Sequence, residues 1–309
     1  MGKEKKKARL MIKDFQTYIN EGLFDRNQSE FAIRKTDKGV EQIYVPKTKD
    51  ELYNYIDLDI EQAKKDGTYP NVNLNNIDVS ELGNDELKYL FHNIYKQINP
   101  DISNWNIKYI PSNFFDSNEQ IKEFTIPNSV ASIGRSVFNN CNNLKSVTIP
   151  NNVTNIGDWA FSRCSGLSSI TIPDSVTSIG NYAFRGCSGL TSITIGNSVT
   201  SIGYETFRSC ISLTSITIGN SVTSIGMFAF WDCSGLTSVE IPNNITSIGR
   251  SAFFNCSNIT SVTIPDGVTN IGENAFKGCD GLTSVTISKH CYTGVDSFPK
   301  NCKIIRRDD

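Results

Sequence analysis

The sequence predicts a solenoid, a stack of 23-residue coils built mostly from β-strand with a short helical or 3-10 turn in each, preceded by a small helical N-terminal region. Three observations predict it. Eight of the nine cysteines, Cys141, Cys164, Cys187, Cys210, Cys233, Cys256, Cys279 and Cys302, follow one another at 23-residue steps without an insertion. Phenylalanine keeps the same step from Phe115 through Phe138, Phe161, Phe184, Phe207, Phe230 and Phe253 to Phe276. An Ile-Gly pair recurs with them, from Ile133-Gly134 to Ile271-Gly272.

Each unit reads as Leu-Thr-Ser-(Ile/Val)-Thr-Ile-Pro-Asn-Ser-Val-Thr-Ser-Ile-Gly-x-x-Ala-Phe-x-x-Cys-Ser-Gly. In Leu-Thr-Ser-Ile-Thr-Ile the apolar residues alternate with Ser and Thr, which is strand periodicity in β-branched residues. Pro150, Pro173, Gly196, Gly219, Pro242 and Pro265 stop that strand. Val-Thr-Ser-Ile is a second extended piece, and the following Gly turns the chain. In x-x-Ala-Phe-x-x-Cys the spacing suits one helical or 3-10 turn, with too few residues for a stable helix. A single coil cannot bury its own Leu, Ile, Phe and Cys, so stacked neighbours must share one core. Strands stacked at roughly 4.8 Å, beginning with Ile121 to Ile126, give eight strands and a sheet roughly 35 Å across.

The pattern Leu-x-x-Ile-Thr-Ile-Pro…Val-Thr-x-Ile-Gly-x-x-Ala-Phe-x-x-Cys resembles the BspA-like, or Treponema-type, leucine-rich repeat, over about Ile121 to Ile305. Upstream, Asp101-Ile-Ser-Asn-Trp-Asn106 resembles the Asp-Ile-Ser-x-Trp repeat associated with it, and Leu74-Asn-Asn-Ile-Asp-Val-Ser80 lines up with Ile102 to Lys108 as a weaker copy 28 residues earlier. The resemblance implies a leucine-rich-repeat solenoid with a strand sheet on one face. It also implies a role shared with surface proteins, adhesins and interaction proteins. The expected organisation is a charged region over 1–70 with one or two short helices, degenerate capping repeats over 71–120, regular repeats over 121–287 and a C-terminal cap over 288–309. Thr48 with Glu51 forms a capping box for one helix, Met11 to Leu23 suits another, and Gln28 to Gly39 reads as a polar linker. In the cap, Lys303-Ile-Ile-Arg306 reads as a last strand.

Charge narrows the function. The chain carries a net −2, too little to recruit nucleic acid or an anionic membrane by its global field. No run of eighteen apolar residues suggests a membrane span. Leu10-Met11-Ile12 gives way at once to Lys13-Asp14, so no secretory leader is recognised and the expected location is cytoplasmic, with surface display as the alternative.

Catalysis has few players. His92 and His290 lie in opposite ends of the chain, no Gly-x-x-x-x-Gly-Lys loop occurs, and no convincing carboxylate pair stands out. No cofactor or metal is expected, because the cysteines form a single file with no Cys-x-x-Cys pair. They read as reduced, buried, small hydrophobes. Cys291 falls outside their period and is expected at the surface.

Binding of another protein is the expected activity, with no small-molecule substrate and with nucleic acid disfavoured. The Ser/Thr columns of the strand face, from Ser146 and Thr148 to Ser284 and Thr286, read as a solvated ladder; carbohydrate binding there is the alternative. The columns after Ile-Gly and after Phe change from unit to unit. They carry Trp159, Tyr182, Arg185, Tyr204, Arg208, Phe228, Trp231, Arg250 and Phe254, the residue types that anchor protein interfaces, and form the candidate site.

Overall fold

The computed structural model describes the backbone of residues 31–36 and 39–44 and the whole of residues 107–307. The first two segments, Phe31–Thr36 and Gly39–Tyr44, pair as an antiparallel hairpin in the register Phe31↔Tyr44 to Thr36↔Gly39. This corrects the polar linker expected over Gln28 to Gly39. A two-residue connection at 37–38 is the length that favours a hairpin, and the many charges around it hide the alternation. The expected helices at Met11 to Leu23 and after Thr48, and the capping repeats upstream of residue 107, lie outside the described residues.

From residue 107 onward the chain winds as parallel coils, each giving a front strand and a two-residue back strand. The eight front strands run from Glu123–Thr125 to Ser284–Ser288, with Lys303–Arg307 as a further strand beyond them. Their register follows the repeat, Ser169↔Ser192↔Ser215 in the centre. They bond in four groups rather than one sheet. At the strand starts the register still carries across a group boundary, where Ser168 N–H donates to Lys145 O at 3.4 Å. Back strands such as Ser201–Ile202 and Ser224–Ile225 stack in the same way.

The core is a set of columns. Nine phenylalanines, Phe115 to Phe276 plus Phe298, stack face to face with centroids 5.0–5.5 Å apart. The first eight are fully buried. Phe114 and Phe124 meet the first rings edge-on and close the near end. At the far end Arg306 donates to the carbonyls of Ser288, Lys289 and Cys291.

The turn carrying Ala, Phe and Cys is not helical, which corrects the expected helical or 3-10 turn; no described residue is in a helix. Its alternate N–H groups reach the next coil instead. Trp159, Phe161 and Arg163 donate forward to the carbonyls of Asn181, Ala183 and Arg185 at 3.0, 2.8 and 2.6 Å. The strand side does the reverse: Lys145, Thr154 and Gly157 donate back to Lys122, Ala131 and Ile133. An N–H committed to a neighbouring coil is unavailable to its own helix, and a piece this short has no propagation to set against the nucleation cost. Two left-handed residues per coil make the geometry possible, Trp159 and Arg163 in this one at φ of 59° each.

The cysteines lie inside, as the spacing predicted, but as donors. From Cys141 to Cys279 each in-period Sγ reaches the carbonyl of the phenylalanine one coil earlier, Cys141 to Phe115 at 3.1 Å and Cys233 to Phe207 at 3.0 Å. The same carbonyl often also accepts the N–H of its own coil's cysteine, as Phe138 O does from Cys141 N. The thiol thereby occupies a second lone pair that burial would leave empty. Burial pushes the Cys141 thiol up to about 12, and those of Cys164, Cys187, Cys210 and Cys256 well above the ordinary value. Cys291 corrects the expectation of an exposed thiol, for it is buried. It takes the place held by Val268 one coil earlier, so it keeps the valine period rather than the cysteine one.

Glycine replaces the strand-ending proline at Gly196 and Gly219, and there the backbones close in. A Cβ on Gly219 would sit 2.2 Å from the Gly196 carbonyl oxygen. The recess left beside them is an open groove of about 640 Å³ lined by Thr171, Thr194, Asn197 and Asn220 among others. Gly219→Ala is therefore expected to lose roughly 1–3 kcal/mol through overpacking against backbone. Gly186→Asn is the control and should stay within about 0.5 kcal/mol. Its left-handed position is held by Asn140 and Asn255 in other coils, and its Cβ would meet nothing closer than 3.4 Å. Equal melting temperatures for the two variants would show that the coils can separate at this corner.

Candidate interaction surface

The turn side of the stack gathers most of the predicted residues into one cluster. Its first column is the left-handed position two after each Ile-Gly, occupied by Asn113, Ser136, Trp159, Tyr182, Glu205, Phe228, Ser251 and Asn274. Ser and Asn adopt this conformation with local hydrogen bonding, whereas a bulky ring there is strained by roughly 1–2 kcal/mol. Trp159, Tyr182 and Phe228 nonetheless hold φ of 58–60°. The second column follows each core phenylalanine and supplies Arg185, Arg208, Trp231 and Phe254.

The rings form an unbroken chain of contacts. Trp159 stacks on Tyr182 with centroids 4.0 Å apart, and Tyr182 meets Tyr204 edge-on at 5.2 Å. Tyr204 meets Phe228 at 5.6 Å, Phe228 meets Trp231 at 5.1 Å, and Trp231 stacks on Phe254 at 4.4 Å. All six rings are half-buried. They cover one another and still present their edges to solvent. Pairs of this kind contribute roughly 0.5–1.5 kcal/mol each, enough to offset the left-handed strain.

A buried carboxylate organises the centre. Glu205, 5% exposed, takes the left-handed position between Tyr182 and Phe228. Its Oε1 is 3.1 Å from Arg208 Nη1, and its Oε2 is 3.4 Å from Arg185 Nε, a contact too poorly aligned to be a hydrogen bond. Arg185 lies over the Trp159 and Tyr182 rings at 5.8 and 5.7 Å, and Arg208 over Trp231 at 5.1 Å. One carboxylate thus fixes two guanidiniums against two ring stacks. Arg250 belongs elsewhere. Its guanidinium pairs with Glu273 at 3.7 Å, half exposed, and its carbonyl accepts the Phe228 N–H at 3.0 Å.

Sequence reasoning missed Glu205. The signal was a pair of offsets: Arg208 is three residues later and Arg185 twenty residues earlier, which is three positions past the in-register residue of the coil below. Among the described residues no cluster of His, Cys, Asp and Glu could hold a metal ion. No helix among them is long and apolar enough to cross a membrane.

Comparison with known proteins agrees with this architecture. The BspA type leucine rich repeat region matches in six copies, over residues 65–168, 108–235, 161–283 and 200–306. The chain belongs to the BspA-type leucine-rich-repeat family, whose fold is a repeat scaffold. Among solved structures, a leucine-rich repeat protein from Bacteroides ovatus is 22% identical, with a TM-score of 0.53, covering 69% of this chain and 70% of its own. The T. pallidum leucine rich repeat protein is 25% identical, TM-score 0.44, over 63% of this chain and 77% of its own. A leucine rich cell surface protein from Faecalibacterium prausnitzii is 28% identical, TM-score 0.36, over 62% and 66%. No curated protein matches the sequence.

Proposed function

We propose that the chain is a non-enzymatic interaction scaffold that binds another protein through the turn edge between Trp159 and Phe254. The observation that supports this most is the strained ring ladder. Other coils place Ser or Asn in the same left-handed column, so nothing in the coil itself requires Trp159, Tyr182 or Phe228 there. Stacking offsets the strain once the rings are in place but does not call for rings there, so bulky residues held in this conformation on a half-exposed edge fit a partner that uses them. The strand face offers less. Its Ser169, Thr171 and Thr194 hydroxyls are solvent-facing strand formers with no such strain.

The test separates binding from stability. Proteins retained by the immobilised chain are purified and titrated against variants. Trp159→Asn with Trp231→Ser is expected to weaken the interaction at least about 30-fold, the loss of two anchors of roughly 1 kcal/mol or more each. Thermal stability should fall by no more than about 3 kcal/mol, since relieved strain offsets the lost stacking at Trp159, while Trp231, outside the left-handed column, simply loses its contacts with Phe228 and Phe254. Arg208→Ala would confuse the two readouts, because it leaves the buried Glu205 half-paired. Unchanged affinity in the double variant would remove the turn edge from consideration. Cytoplasmic action is part of this reading and surface display its alternative; labelling intact native cells with a membrane-impermeant reagent distinguishes them.

A further inference from the structure

Resting on that reading, the charge pattern of the edge says what kind of segment it takes. Arg185 and Arg208 each engage Glu205 through one nitrogen, and each side chain remains 30% exposed. A guanidinium has five N–H donors, so each group keeps donors that Glu205 does not use, beside the rings it lies against. Arg163 stands on the same edge, exposed and without an ion pair among the described residues. The nearby acids are occupied within the chain. Asp158 Oδ1 accepts the Asn181 N–H at 2.8 Å, and Asp232 Oδ1 accepts from Asn255 Nδ2 at 2.8 Å. Two guanidiniums therefore flank one internally committed carboxylate, between Trp159 with Tyr182 on one side and Trp231 with Phe254 on the other, and Arg163 is exposed one coil before Arg185.

We propose that this edge binds an extended acidic segment of another protein, with a carboxylate received by Arg185 and Arg208 and flanking apolar side chains lying against the two ring pairs. The scale is set by the stack. Trp159 to Phe254 is four coil steps, and core rings on successive coils are 5.0–5.5 Å apart. That distance, roughly 20 Å, is spanned by about six residues of extended chain. A planar guanidinium pair suits a carboxylate better than a point cation would, because two parallel hydrogen bonds fix its orientation. Single-stranded nucleic acid also combines charge with stacking, but it needs open ring faces on which bases can lie. Here one face each of Trp159 and Trp231 is taken by Tyr182 and Phe254 at 4.0 and 4.4 Å, and Arg185 and Arg208 lie close to the same rings. That leaves fewer open faces than a run of stacked bases uses, whereas apolar side chains can pack against ring edges and faces alike.

The probe is a randomised dodecapeptide library displayed on phage and selected on the full chain. Selected peptides are expected to carry Asp or Glu with an aromatic or Leu within about three positions on either side. Replacing that acid by Gln or Asn in the synthetic peptide should weaken binding about tenfold, a comparison made on the unaltered protein. Arg185→Lys with Arg208→Lys keeps the charge beside Glu205 and should weaken the acidic peptide about tenfold while leaving the amide peptide unchanged. If apolar peptides bind equally with Glu, Gln or Lys at the centre, the carboxylate receptor is wrong although the binding face stands. If selected peptides ignore Trp159→Asn with Trp231→Ser, they bind elsewhere and the proposal falls. Displacement of the peptide by a twelve-residue oligothymidylate would overturn it in favour of nucleic acid.

Discussion

Raising the pH from 8 to about 10.5 is expected to unfold the coil array. The cause is the cysteine column. Cys141, Cys164, Cys187, Cys210, Cys233 and Cys256 all have thiols raised by burial. A group whose folded pKa lies above its unfolded value contributes stability that is complete below the unfolded value, near 8.5 for a thiol. That stability is lost as the pH climbs toward the folded value, which for Cys141 is about 12. Each such thiol favours the unfolded chain by about 1.4 kcal/mol per pH unit in that window. Six acting together shift the balance by on the order of 8 kcal/mol per unit. A folded domain has roughly 5–15 kcal/mol in all, so one to two units above 8.5 suffice. Circular dichroism followed from pH 7 to 11, with thiol labelling alongside, should show strand signal and thiol protection disappear together. A chain that keeps both at pH 11 would mean that the thiols are not desolvated as the geometry requires.

Phe207→Ala should lose roughly 3–5 kcal/mol, the range for a buried aromatic truncated in a core. Phe207 is fully buried and stacks on Phe184 and Phe230 at 5.5 and 5.3 Å. Its removal opens a gap in the middle of a nine-ring column and parts the two halves of the stack. Each coil is stabilised mainly by its neighbours, so protection against hydrogen exchange should fall in the coils on both sides. The analogous Phe298→Ala, at the end where one neighbour is missing and 6% of the residue is already exposed, should cost less. An equal loss at both positions would contradict the nearest-neighbour account.

The columns of the core could be read from residue spacing alone, because 23-residue identity in Phe, Cys and Ile leaves one way for buried side chains to meet. The turn could not. Ala, Phe and Cys at helical spacing fit a helical turn and a flat inter-coil ladder equally well, and what decides is where the N–H groups point, which no side chain announces. Cys291 misled because it was measured against other cysteines, while a small buried position accepts Val or Cys indifferently. Most of the ring and guanidinium cluster was visible as aromatic residues in columns that vary. Its organising centre was not, since Glu205 meets Arg185 only through a neighbour relation that crosses coils at an offset. Arg250 shares the composition of the cluster, but its guanidinium pairs with Glu273 and not with Glu205.

The opposed directions of the inter-coil hydrogen bonds have an electrical consequence. Every peptide unit is a dipole of about 3.5 D, and in an α-helix all of them align, so a longer helix carries charge of opposite sign at its two ends. In this coil stack Trp159, Phe161 and Arg163 point their N–H groups toward the C-terminal end while Lys145, Thr154 and Gly157 point theirs toward the N-terminal end. The pattern repeats with every turn, and strand-side bonds such as Ile126 N–H to Thr148 O run forward as well, so the peptide dipoles of the stack lack the one-way alignment of a helix. Adding coils lengthens such a rod without summing every peptide dipole along one direction. Ions and charged partners then sense the fixed side-chain charges at each level, here the guanidiniums beside Glu205, and not their distance from either terminus.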